Sequence, residues 1–193
     1  SAEETDLVFM ATPHGVAVSI VPEFLKAGSK VIDVSADFRL KDPKAYEKWY
    51  EMTHTAPDLL EEAVYGLTEL NRSQLPGARI VANPGCYPTA SILALAPALQ
   101  EGLAHLDSIV IDAKSGVSGA GRSLNLRNHS SEPTEDLQAY NPARHRHIPE
   151  IEQQVSLLAG RKTSVTFVPH LIPMIRGMLV TVYCKPTRET DTK

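Results

Sequence analysis

Val81-Ala82-Asn83-Pro84-Gly85-Cys86-Tyr87-Pro88-Thr89-Ala90 is the stretch that decides how this chain folds. The apolar run Arg79-Ile80-Val81-Ala82 reads as a short strand and the Asn-Pro-Gly after it as a sharp turn. Pro88 to about Glu101 reads as an apolar helix. Proline suits the first helical position, where its missing N–H would have had no intrahelical partner. Cys86 then stands at or just before a helix N-terminus, where backbone N–H groups point outward. The positive end of the helix dipole favours a thiolate over a thiol there. Gly85 lets the backbone bend and leaves room for a group to approach the sulfur. A lone cysteine is usually a small buried hydrophobe, but a strand-turn-helix elbow is a poor place to hide a side chain. Cys86 is therefore read as a nucleophile.

Upstream, Asp6 to Thr12 reads as a buried parallel strand. Val16 to Ala27 is amphipathic, with Ile20, Val21, Phe24 and Leu25 on one side, and Gly28 closes that helix. Lys30 to Val34 is the next strand. A strand-helix-strand unit with a crossover of this length implies a parallel pair, part of a doubly wound nucleotide-binding sheet. No glycine-rich phosphate loop accompanies it, so the chain is expected to start inside the second half of such a fold. Ser35-Ala36-Asp37-Phe38-Arg39-Leu40 follows the strand end, where ligands gather in open α/β sheets. Even so, the residues from there to Leu70 carry no chemistry legible by themselves.

Downstream of Cys86, Ser108 to Ala113 is a strand, and the polar segment 114–146 has the length of a functional loop. Pro149 opens a helix to about Ala159. Thr163 to Val168 and Met178 to Lys185 are strands. On the second of these, Met178, Val180, Val182 and Cys184 alternate onto one face, which places Cys184 in the core.

The chain of 193 residues has a net charge of −4 and no basic run, which argues against a nucleic-acid partner. Its longest apolar stretch, Ile92 to Leu99, is too short for a membrane span. Two cysteines in unlike contexts, and no signal-peptide pattern, point to a reducing, cytoplasmic setting.

Asn141-Pro142-Ala143-Arg144-His145-Arg146-His147-Ile148-Pro149-Glu150 is a dense basic cluster before a helix. Its residues suit a surface patch, or a base with anion-binding neighbours; a metal centre would need ligands from scattered positions. Imidazole is the side chain best suited to proton exchange near neutral pH. Lys114 to Arg122 is rich in glycine and serine, which expose backbone N–H groups and hydroxyls to anions. It matches neither the P-loop nor the dinucleotide fingerprint, and by itself reads as a flexible turn.

The run from Val81 through Asn83-Pro84-Gly85-Cys86-Tyr87-Pro88-Thr89-Ala90 to Pro97 resembles the active-site signature of the N-acetyl-gamma-glutamyl-phosphate reductase family. Its wider relatives include aspartate-semialdehyde dehydrogenase. Thr12-Pro13-His14-Gly15, Asp37-Phe38-Arg39, Tyr65-Gly66-Leu67, the His145-Arg146-His147 run and His170 to Gly177 agree in order. The resemblance implies an α/β fold: a remnant of a parallel Rossmann-type sheet over residues 1–85, then an α+β catalytic domain with a mixed or mostly antiparallel sheet over 86–193. It also implies a fragment lacking the N-terminal dinucleotide loop and the C-terminal segment.

On the same resemblance Cys86 and His147 are catalytic. Arg122, His145, Arg176 and Asn83 bind substrate, and Thr12, Gly15, Ser35, Ser115 and Gly116 touch NADPH, with no metal. The implied reaction reduces a small-molecule acyl phosphate to an aldehyde through a Cys86 thioester, in a homo-oligomer with neither nucleic acid nor membrane as partner. Three alternatives stay open: a carrier-linked aminoadipyl-phosphate reductase, a Cys-His hydrolase without nicotinamide, and a binding or assembly module.

Overall fold

The computed structural model describes residues 2–120, 136–189 and 191. They divide into two units, Ser1–Thr89 and Ala90–Lys193.

In the first unit β1 (Leu7–Met10), β2 (Lys30–Asp33), β3 (Val64–Tyr65) and β4 (Ile80–Ala82) form one sheet in the order β1-β2-β4-β3, parallel throughout. Helix α1 (Ala17–Lys26) connects β1 to β2 and buries Ala17, Val18, Val21 and Leu25, one stripe at helical spacing. Gly28, at φ +93°, turns its N–H back to the Leu25 carbonyl and ends the helix. Helix α2 (Pro43–Tyr50) starts where the Asp42 carboxylate accepts the Lys44 N–H at 2.9 Å, with Pro43 pre-set for the first turn. It buries Tyr46, whose hydroxyl donates to the Ala36 carbonyl and accepts the Leu40 N–H, both at 3.0 Å. Helices α3 (Asp58–Glu62) and α4 (Thr68–Asn71) are short. Met10, Val21, Val31, Phe38, Leu40, Tyr46, Leu60 and Ile80 belong to the core of this unit.

Strand β1 departs from the expected buried strand. Among the described residues it pairs only with β2, at the sheet edge, and Phe9 is 64% exposed. Side chains alternate across a strand, so Met10 enters the core while Leu7 and Phe9 take the opposite face. A continuous apolar run shows that both faces tolerate burial, not that both are covered.

Helix α5 (Cys86–Gln100) follows β4 and begins two residues earlier than the proline suggested. In the second unit β5 (Val110–Ser115), β6 (Gln138–Ala139), β7 (Thr166–Leu171) and β8 (Met178–Tyr183) form a mixed sheet in the order β6-β7-β5-β8. β5 runs parallel to β7 and antiparallel to β8, and β6 is antiparallel to β7. Ile111, Ala113 and Phe167 are buried on one face, while Val110, Leu179 and Tyr183 are exposed. Helix α6 (Ile148–Ala159) buries Ile151 and Val155 and ends at Gly160, φ +66°.

Cys184 is not the core residue that alternation suggested. It lies just past β8 and is exposed, and neither cysteine forms a disulfide. Alternation assigns a residue to a face, but that face of β8 is only half-covered along Met178, Val180 and Val182. No helix among the described residues is long and apolar enough to cross a membrane.

Candidate active site

Three parallel strands of the first unit end at one edge, and the loops leaving them are tied to one another. Val34 donates its N–H to the Met10 carbonyl at 2.9 Å, and Asn83 donates to the Asp33 carbonyl at 2.8 Å. These bonds extend the ladder beyond the strand ends and bring residues 12–15, 33–40 and 83–86 together. The 33–40 loop is unusual for a loop: residues 35–40 are all buried, polar and apolar alike. Each polar side chain there has a hydrogen-bond partner, as burial requires.

Asp33 accepts the Ser35 N–H and hydroxyl, each at 2.9 Å. Ser35 in turn accepts the Asp37 N–H at 3.1 Å. The Asp37 carboxylate takes the Gly15 N–H on both oxygens, at 2.8 and 3.0 Å, and the Val18 N–H at 3.1 Å. His54 donates Nε2–H to the Asp37 carbonyl at 2.8 Å. His14 accepts the Ala36 N–H through Nδ1 at 3.2 Å. Arg39 donates from Nε to the Asn83 carbonyl and from Nη2 to the Val34 carbonyl, both at 2.8 Å. Burial raises the Asp33 carboxyl to about 6, against the pull of Ser35. Burial also lowers the His54 imidazole below its ordinary value, opposed by its bond to Asp37.

The α1 N-terminus is thus filled by an internal carboxylate, the arrangement its dipole favours. This has consequences for residues read from the sequence. The Gly15 N–H is committed to Asp37, and the Ser35 hydroxyl to Asp33 and Asp37. Thr12 differs: its hydroxyl is buried without a hydrogen-bond partner among the described residues, at the carboxyl edge of the sheet.

Cys86 opens α5 and is exposed, between buried Gly85 and buried Tyr87. Thr89 anchors the first turn by donating both its N–H (3.0 Å) and its hydroxyl (2.9 Å) to the Gly85 carbonyl. Pro88 sits among the first residues of the helix, whose N–H groups have no intrahelical acceptor, so proline costs nothing there. A long helix thus begins at the sulfur-bearing residue, with its positive pole beside an accessible thiol. Asn83 turns its side-chain amide to the Pro84 carbonyl at 3.1 Å, a contact that shapes the elbow.

In the second unit His147 is the N-cap residue of α6, and its ring lies 4.8 Å from that of His145. His145 is also edge-on to Tyr140 and Phe167. Its Nδ1 accepts the His147 N–H at 3.2 Å. Burial, with Arg146 adding to it, lowers the His145 imidazole to about 4. A neutral ring that holds the backbone of its neighbour offers no positive charge to an anion.

Ser115 is buried and donates its hydroxyl to the Gly116 carbonyl at 3.0 Å. Gly116 donates its N–H to the Gly177 carbonyl at 3.0 Å, and a Cβ there would come within 2.8 Å of the Met174 carbonyl oxygen. The glycine is required by the close approach of residues 174–177, which carries exposed Arg176 beside it. Arg122 lies outside the described residues. Among the described residues no three His, Cys, Asp or Glu side chains converge as metal ligands do.

The first unit therefore gathers Thr12, Gly15, Ser35, Asn83 and Cys86, and the second gathers His145 with His147 and Ser115 and Gly116 with Arg176. Sequence reasoning gave no role to Asp33, Asp37, Arg39 or His54. A signal was present: Asp33, Ser35, Asp37 and Arg39 alternate with Val34, Ala36, Phe38 and Leu40 directly after a strand.

A family model described as the semialdehyde dehydrogenase NAD binding domain matches residues 1–78, and one described as the semialdehyde dehydrogenase dimerisation domain matches 86–193. N-acetyl-gamma-glutamyl-phosphate reductase of Desulforudis audaxviator is 55% identical over 184 residues, 95% of this chain and 53% of that protein. The enzyme of the same name from Symbiobacterium thermophilum is 57% identical over 189 residues, 97% and 54% respectively. The chain thus spans about half the length of the curated relatives it matches. In fold it is similar to aspartate semialdehyde dehydrogenase II from Vibrio cholerae, with a TM-score of 0.69 at 15% identity, covering 99% of this chain and 58% of that one. Aspartate semialdehyde dehydrogenase with NADP from Candida albicans aligns with a TM-score of 0.57 at 12% identity, over 96% and 52%. The two family models match residues 1–78 and 86–193 between them, and the chain belongs to the semialdehyde dehydrogenase family.

Proposed function

We propose that this chain carries the nucleophile of an NADPH-dependent acyl-phosphate reductase that converts N-acetyl-glutamyl 5-phosphate to N-acetyl-glutamate 5-semialdehyde, a step of arginine biosynthesis in the cytoplasm. The observation that carries the reading is the exposed Cys86 at the first residue of α5, between buried neighbours. Relatives more than half identical are named for this reaction.

Cys86, as thiolate, attacks the acyl carbon; the carbon–sulfur bond forms, the carbon–oxygen bond to phosphate breaks, and phosphate leaves. The α5 N-terminus favours the thiolate and the oxyanion that follows. His147 supplies a proton to that oxygen and takes it back as the carbon–sulfur bond breaks and the aldehyde departs, with the neutral His145 holding its backbone. Asn83 shapes the elbow, and Arg122 and Arg176 meet the substrate's anionic groups. A nicotinamide, when bound, supplies hydride. The buried, unpartnered Thr12 hydroxyl suits it as a polar contact at the sheet edge, where ligands of α/β sheets gather. Gly15, Ser35, Ser115 and Gly116 shape that binding through backbone placement, because their polar groups bond within the chain.

The exposed face of the second sheet, which carries Val110, Leu179 and Tyr183 opposite the face of Met178, Val180 and Val182, is proposed to meet a second copy of the chain. Its residues match a family model named for dimerisation. The deciding experiment runs the reaction backwards in the complete protein, with semialdehyde, phosphate and NADP+. Nicotinamide reduction that requires phosphate, with an acyl adduct found by mass on Cys86, supports the reading. Phosphate-independent turnover, or an adduct elsewhere, overturns it.

A further inference from the structure

Arg39 is 7% exposed, an unusual environment for a guanidinium, and two of its donors go to main-chain carbonyls. One carbonyl, Val34, belongs to its own loop. The other, Asn83, lies 44 residues away at the start of the elbow that delivers Cys86. Asn83 is gripped from both sides: its N–H goes to the Asp33 carbonyl at 2.8 Å, and its carbonyl receives Arg39 Nε at 2.8 Å. The loop bearing Arg39 is itself immobilised. Phe38 and Leu40 enter the core, Tyr46 holds Ala36 and Leu40, and Asp37 is locked onto α1. An isolated buried cation would be costly; here its donors form a rigid fork that spans the gap between two strand ends.

We propose that Arg39 is a positioning residue for the Cys86 nucleophile. By clamping the Asn83 carbonyl it fixes the turn Asn83-Pro84-Gly85, and so the direction in which α5 starts and presents its positive pole to the sulfur. The proposal rests on the reading of Cys86 as nucleophile and adds to it a residue that acts through the main chain of the elbow. Geometry rather than charge is the essential contribution. The planar fork reaches two carbonyls at once, which the point charge of lysine does not reproduce. Thiolate formation at a helix start depends on that orientation.

The test uses this chain with Cys184→Ser, so that Cys86 is the sole thiol, and measures the rate of iodoacetamide alkylation against pH. The parent should titrate well below the ~8.5 of an ordinary thiol. Arg39→Lys keeps the charge and most of the stem, and Arg39→Met removes the charge. Both should raise the alkylation midpoint by about one pH unit and slow the reaction at pH 7 about tenfold. Melting temperatures, followed by circular dichroism, are recorded for each, and the milder Arg39→Lys keeps the test open should Arg39→Met fail to fold. A parent midpoint near that of an ordinary thiol sinks the nucleophile reading, and this proposal with it. A low parent midpoint retained by Arg39→Lys shows that charge alone matters. A midpoint unmoved in both variants while the melting temperature falls reduces Arg39 to a structural brace. Either of the last two overturns the positioning role and leaves Cys86 standing.

Discussion

Replacing Asp33 by asparagine should change how stability depends on pH, by an amount the structure allows to be worked out. Asp33 is fully buried, and burial raises its carboxyl from 3.8 to about 6. The folded chain therefore holds a proton between these values that the unfolded chain has released. Its stabilising contribution is complete below pH 3.8 and is lost as the pH rises through 6. A shift of about two units at 1.36 kcal/mol each corresponds to a loss of about 3 kcal/mol, an order-of-magnitude figure. The asparagine side chain has the same shape as the aspartate it replaces. Its carbonyl can accept the Ser35 N–H, and its amide can donate to the Ser35 hydroxyl, which needs only to rotate its proton. The Asp33→Asn variant should match the parent near pH 3.5 and exceed it by about 1–3 kcal/mol at pH 7.

His54 in the same unit is shifted down by burial, so its contribution grows as the pH rises toward the ordinary histidine value. That opposing slope is common to parent and variant and drops out of their difference. Trp49, the only tryptophan, lies in α2 of this unit, so its fluorescence during urea unfolding at a series of pH values reports the right transition. Parallel stability profiles for parent and variant from pH 4 to 7 would refute the claim that Asp33 ionises at a cost.

Cys86→Ser in the complete protein should abolish reduction and leave the circular dichroism unchanged; activity within about tenfold of the parent, only ~1.4 kcal/mol of barrier, would end the covalent mechanism. His147→Asn should lower the rate by about 10²–10⁴-fold, and a steady-state rate within a factor of two of the parent would remove it as proton donor. Gly116→Ala forces a Cβ toward the Met174 carbonyl oxygen and should cost about 1–3 kcal/mol in urea unfolding; an unchanged midpoint would mean the 174–177 loop gives way freely. Leu179→Glu puts a charge on an exposed apolar position of the second sheet, and sedimentation equilibrium should show a dimer of the complete protein shifted toward monomer. An unaltered dimer would place the interface elsewhere.

Much of this molecule was legible from its residues because local chemistry decides local structure. The Asn-Pro-Gly turn, the proline at the start of α5 and the glycines after α1 and α6 act within a few positions of themselves. The elbow and the helix boundaries are therefore readable without knowing what packs where. Apolar runs joined by a helix-length crossover imply parallel neighbours for the same reason. What tertiary structure alone decided is which side chains acquire partners. Phe9 and Cys184 sit on apolar runs, yet both are exposed, because burial belongs to the covering layer and not to the strand. Asp33 at a strand end and Asp37 and Arg39 after it carried no legible role, yet all are buried, because sheet register brings Gly15 within reach of Asp37 across 22 residues and Asn83 within reach of Arg39 across 44. A charged residue can leave water only where acceptors or donors are already waiting. Those waiting groups come from chain segments too distant in sequence for any local pattern to announce.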